Sequence, residues 1–85
     1  MVKKDITVKI QEGIDVEYAG KLAIAAERFQ SMSTLTIRNN AINMRSLLNL
    51  VSVGIRKGDV VKIVCEGPEE AAAMKTFENI LTGRE

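Results

Sequence analysis

The apolar residues of this 85-residue chain change their spacing repeatedly, and that switching of period limits what it can fold into. Ile6, Val8 and Ile10 alternate with Thr7, Lys9 and Gln11. This is the two-residue period of a strand with one buried face. Gly13 breaks the pattern. From about Val16 the period lengthens, and Ala19, Leu22, Ala23 and Ala26 recur at helical spacing with Lys21, Glu27 and Arg28 polar between them. Asp15 stands just before this helix and suits its N-cap. Phe29 is expected to close the helix against the core.

The same switching continues to the last residues. Leu35-Thr36-Ile37 reads as a second strand, Arg38-Asn39-Asn40 as a turn, and Ala41-Ile42-Asn43-Met44 as a short returning strand. Ser46 opens a short apolar run to Val51 or Val53, with Gly54 as its stop. Ile55 to Asp59 is a turn. Val60 to Glu66 is rich in β-branched residues and is the most strand-like segment. Gly67-Pro68-Glu69-Glu70 marks a helix start, with proline and carboxylates in the first turn, and the helix runs through Ala71, Ala72, Ala73, Met74, Phe77, Ile80 and Leu81 to Gly83. The order is strand, helix, strand, strand, helix, strand, helix. It implies an α+β fold: a small antiparallel sheet with helices on one face, as a single domain over residues 1–85. Thr7, Lys9, Thr36 and Lys62 are assigned to the outer, polar face.

Composition removes several function classes. Twelve basic and 11 acidic side chains leave a net charge of +1, which argues against strong binding to nucleic acid or to a membrane surface. Aromatic content of 4% gives no platform for stacking bases. No apolar run approaches a membrane span, and charges at the start disfavour a signal peptide, so the cytoplasm is the expected compartment. The one cysteine, Cys65, lies in an apolar stretch and reads as a core residue. There is no histidine at all. That excludes Ser-His and Cys-His catalysis and removes the commonest metal ligand, so neither an enzyme nor a metal or other cofactor is expected.

Over its whole length the chain resembles HPr, the small phosphocarrier of the bacterial phosphoenolpyruvate:sugar phosphotransferase system, and its regulatory paralogue Crh. The anchors are Gly13, Ala19 and Phe29; the block Arg45-Ser46-Leu47-Leu48 with Leu50 and Gly54; then Gly58, Val61 and Glu66-Gly67. The resemblance implies an open-faced sandwich, a four-stranded antiparallel sheet covered on one face by three helices.

The departure from the family lies at its chemistry. The family pattern after Gly13 is an apolar residue, the phosphoacceptor histidine, a small residue, arginine and proline. Here it reads Ile14-Asp15-Val16-Glu17-Tyr18. The resemblance thus puts Asp15 at the histidine position, Glu17 at the arginine position and Tyr18 at the proline position. A phosphoryl group on Asp15 would meet the helix end but also Glu17, with Glu12 as a second candidate neighbour. Like charges at about 6 Å cost roughly 1–3 kcal/mol at high effective dielectric, against a helix-dipole benefit of roughly 0.3–1 kcal/mol. Two readings of Asp15 stand: a plain N-cap, or an acyl-phosphate acceptor.

Ser46 matches the family. The resemblance implies phosphorylation by a dedicated ATP-dependent kinase and assistance to a transcriptional regulator; the residues alone also allow a simple cap. It further implies a partner-binding surface from Val16, Gly20, Lys21, Arg45, Leu47, Leu48 and Val51, with Lys21 and Arg45 as a polar rim and Leu50 in the core. The implied partners are proteins of the sugar phosphotransferase system or its regulators. A purely docking module without phosphate chemistry is the remaining alternative, and the oligomeric state is left open.

Overall fold

The computed structural model describes residues 1–85. Its elements are β1 (Val2–Thr7), α1 (Val16–Arg28), β2 (Met32–Ile37), β3 (Asn40–Asn43), α2 (Leu47–Ser52), β4 (Val60–Glu66) and α3 (Glu70–Leu81). The strands form one antiparallel sheet in the spatial order β1-β4-β2-β3. The last strand in sequence therefore lies inside the sheet. This explains its composition: Val61, Ile63 and Cys65 face the helices and are fully buried, as β-branched and small apolar side chains suit a central strand. The open face carries Lys3, Asp5 and Thr7 of β1, Lys62 and Val64 of β4, Thr34 and Thr36 of β2, and Ala41 and Asn43 of β3. One contiguous core of 22 buried residues draws on every element, with Phe77, Leu22, Leu35 and Leu50 among its largest members. Each such side chain stabilises the fold by about 1.5–3 kcal/mol on burial.

Three local expectations need correction. The ladder of β1 ends at Thr7, although Val8 and Ile10 are 1% and 4% exposed. Beyond Thr7 the backbone bonds to other partners: Val8 N–H donates to Asp59 O at 2.9 Å and Lys9 N–H to Leu81 O at 3.0 Å. Alternation there reports burial, not pairing. The β2–β3 turn has positive φ at Arg38 (48°) and Asn39 (67°), while Asn40 already belongs to β3. Two such residues match the twist of a tight hairpin. Arg38 tolerates the left-handed conformation because Nη2 donates to Val53 O at 2.7 Å and Nη1 pairs with Asp59 at 3.3 Å. Pro68 precedes α3 rather than opening it, since Glu69 is the N-cap and makes no side-chain cap bond. Glu70 instead accepts from Gly67 N–H at 3.1 Å, and Glu69 from Gln30 N–H at 2.7 Å.

Candidate functional site

The site is built by two loops that meet. Gly13 has φ +75°, and a Cβ there would lie 2.5 Å from Ile55 O. Ile14 N–H donates to the same carbonyl at 3.0 Å. The loop before α1 is thereby laid against the loop after α2, and only glycine fits the approach. At the other end of the pair, Arg45 Nε donates to Ala26 O in the last turn of α1 at 3.3 Å. The two helices thus run antiparallel, with Asp15 and Ser46 at opposite ends. Six residues of α2, about 9 Å of helix, lie between Ser46 and the loop that meets Ile14.

Asp15 caps α1 as expected. Its backbone is extended, Oδ1 accepts from Tyr18 N–H at 3.1 Å, and its carbonyl accepts from Ala19 N–H at 2.8 Å. Glu17 lies in the first turn, where the helix dipole favours a carboxylate. Both side chains are exposed and neither joins an ion pair. Tyr18 is half-buried, with Lys21 Nζ 4.9 Å from its ring centre.

Ser46 caps α2. It is half-buried, its carbonyl accepts from Leu50 N–H at 3.0 Å, and its Oγ accepts from Asn49 N–H over a long 3.4 Å. A long cap bond is a weak one, so this hydroxyl is only lightly committed. Leu50 is fully buried, while Leu47 and Leu48 are 42% and 75% exposed. A helix of six residues has one buried stripe and must leave its other leucines in water.

The other expected contact residues divide. Val16 is 64% exposed, and a side chain at Gly20 would meet no atom within 4 Å. Arg45 is exposed. Lys21 is half-buried, and its Nζ donates to Glu85 O at 3.3 Å, so as a rim residue it is already partly engaged. Val51 is half-buried, packing against the core with part of its surface exposed. Ile24, 69% exposed, was missed by the sequence reading. The signal was available: Val16, Gly20 and Ile24 repeat every four residues, away from buried Ala19, Leu22 and Ala26.

No three His, Cys, Asp or Glu side chains gather to hold a metal ion, and no helix is long and apolar enough to cross a membrane. Cys65 is buried beneath the sheet, and desolvation pushes its thiol pKa up despite the Ser33 hydroxyl 3.5 Å away. It is an inert core thiol.

The architecture is a small open-faced sandwich in which α1 and α2 start at side-chain caps and share an exposed face. The family described as the PTS HPr component phosphorylation site matches residues 2–82, and the chain belongs to it. It is 24% identical over 84 residues to the phosphocarrier protein HPr of Xylella fastidiosa, spanning 99% of this chain and 94% of that protein. It is 29% identical over 77 residues to the HPr-like protein Crh of Halalkalibacterium halodurans, spanning 91% and 92%. Among solved structures, HPr-C-His of Thermoanaerobacter tengcongensis superposes with a TM-score of 0.90 at 27% identity, covering 100% of this chain and 99% of that one. Membership of this family sets the chain among proteins that are not catalysts.

Proposed function

We propose that this HPr-family chain, as one domain over residues 1–85, acts by docking partner proteins and is regulated at Ser46, without relaying phosphate through residue 15. The observation that carries the reading is chemical: the chain holds no histidine, so no phosphohistidine can form on it. Asp15 supports the same conclusion. One of its carboxylate oxygens is committed to the Tyr18 N–H at 3.1 Å, and Glu17 stands two residues on with no arginine to offset it. A dianionic phosphoryl group there would face a carboxylate where a relay needs a cation.

Ser46 is the better phosphate acceptor on this reading. The first turn of α2 contains no acidic residue, and Arg45 precedes the hydroxyl. Its phosphorylation would place negative charge at a helix start, where free N–H groups favour it. The contact surface is proposed as Val16, Gly20, Lys21, Arg45, Leu47, Leu48 and the exposed part of Val51, extended by Ile24. Its partners are proteins of the sugar phosphotransferase system or their regulators, and its compartment is the cytoplasm.

The test has two arms. Incubation with the first enzyme of the phosphotransferase system and labelled phosphoenolpyruvate should leave the chain unlabelled. Incubation with an HPr kinase from the same genome and labelled ATP should label Ser46, and Ser46→Ala should stay blank. Label released by hydroxylamine and lost in Asp15→Asn would instead establish an acyl phosphate on Asp15. Failure of the cognate kinase to modify Ser46 would remove the regulatory half.

A further inference from the structure

A net charge of +1 conceals a marked segregation along the chain. Between Glu27 and Asp59 there is no carboxylate, while Arg28, Arg38, Arg45, Arg56 and Lys57 all fall in that interval. The remainder is negative, with seven basic side chains against 11 acidic ones. The interval comprises β2, β3 and α2, whose own side chains are cationic or neutral; Asp59 is the carboxylate that reaches it, pairing with Arg38 at 3.3 Å.

That side ends in an unguarded strand. β1, at one edge of the sheet, carries Lys3, Lys4 and Asp5, the charges that commonly deter pairing with another chain. β3, at the other edge, reads Asn40-Ala41-Ile42-Asn43 and has no charge and no proline. Met44 N–H donates to Ser33 O at 3.0 Å, continuing the register in which Leu35 faces Ile42 and Ile37 faces Asn40. Bonded pairs alternate in an antiparallel ladder, so the backbone groups of Ala41 and Asn43 point away from β2. Asn43 O is satisfied by Ser46 N–H at 2.9 Å. The N–H and C=O of Ala41 and the N–H of Asn43 face the edge. Beside them an open groove of about 390 Å³ runs between β3 and α2, lined by Asn40, Ala41, Ile42, Asn49, Ser52 and Val53.

We propose that the free edge of β3 is a strand-addition site for an extended acidic segment of a partner protein. Main-chain bonds to Ala41 and Asn43 would supply register, the groove would take alternate uncharged side chains, and flanking carboxylates would meet Arg45 at one end and Arg56, beside the already paired Arg38, at the other. A second copy of this chain fits poorly. Antiparallel pairing centred on Ala41 sets Arg38 of one copy opposite Met44 of the other, one residue from Arg45, and neither copy of β3 carries a carboxylate to offset the arginines that flank it. The site shares Arg45 with the contact surface proposed above, but it is read at the Ala41 and Asn43 amides and not at Ser46 or residue 15, so failure of one proposal is distinguishable from failure of the other.

The test is an NMR titration of the ¹⁵N-labelled full chain with the acetylated, amidated peptide EEVTVTVEE. The Ala41 and Asn43 amides should shift downfield and exchange with solvent about tenfold more slowly, a change of about 1.4 kcal/mol in opening. The amides of Val16 and Leu48 should not move. Ala41→Pro should abolish the effect, because its N–H serves no bond within the sheet and proline is tolerated at such an edge position. N-methylation of the peptide's central valine should abolish it equally, with the protein untouched. Equal binding by KKVTVTVKK, or by an oligothymidylate at the same amides, would overturn the proposal. So would absence of any shift at Ala41 and Asn43, or a shift there that depends on protein concentration without peptide, which would make a second copy the occupant.

Discussion

Gly13→Ala is expected to destabilise this protein well beyond the ordinary effect of an added methyl group, and Gly54→Ala is its control. Both glycines have nearly the same backbone, with φ of +75° and +71°. An L side chain in that region costs about 1–2 kcal/mol at either position. Their surroundings differ. At Gly54 a Cβ meets nothing within 4 Å, whereas at Gly13 it lies 2.5 Å from Ile55 O and 3.2 Å from Arg56 Cα. Both obstacles are backbone, so no side chain can swing aside. Relief requires the loop to withdraw, stretching the bond from Ile14 N–H to Ile55 O. Overpacking of this kind adds about 1–3 kcal/mol. Gly13→Ala should therefore lose about 2–5 kcal/mol in total, and Gly54→Ala only the first part. For a domain of this size the extra loss corresponds to a fall in Tm of roughly 4–24 °C. Urea titrations followed by far-UV circular dichroism would measure both variants. Equal losses would show that the two loops are not held in contact and would refute the account of how Asp15 is positioned.

Leu48→Asp should change stability by no more than about 0.5 kcal/mol, since the side chain is 75% exposed, while abolishing partner binding in a pull-down. Leu50→Ala, next to Asn49, the cap partner of Ser46, and on the buried side, should cost about 2–5 kcal/mol by denaturant titration. Ser46→Ala should lose about 0.5–1 kcal/mol, the low end for a cap because its bond is 3.4 Å long, and Ser46→Asp should restore it. The Arg56 N–H at 2.8 Å holds the Asp59 carboxyl below its ordinary 3.8; desolvation opposes it, and the Arg38 guanidinium adds to the lowering. A depressed folded-state pKa gives stability that is complete above the ordinary value and is lost as pH falls through the folded one. Thermal melts should accordingly weaken below about pH 4, and Asp59→Asn should flatten that decline.

Much of the fold was legible because its signals are local. Asp15 caps a bond three residues away, the alternation of Val61, Ile63 and Cys65 faces one side, and Gly54 ends a short helix with a positive φ. Each is a relation within a few residues, which sequence spacing records directly. The missed features are relations across the chain. Nothing near Arg38 in sequence reveals that Val53 O and Asp59 hold it in the turn. Nothing near Pro68 reveals that Gln30 takes the Glu69 carboxylate.

The sequence by itself therefore determined the elements, the caps at Asp15 and Ser46, and the absence of an imidazole for phosphate to occupy, since covalent composition and short-range hydrogen bonding need no tertiary context. Tertiary structure alone decided the rest. It seated β4 inside the sheet and left β3 at an edge, turned α1 and α2 antiparallel so that residues 15 and 46 stand apart, and drew Val51 toward the core while leaving Ile24 in water. These outcomes follow from which surfaces can be buried together, and burial is a property of the whole chain folded on itself.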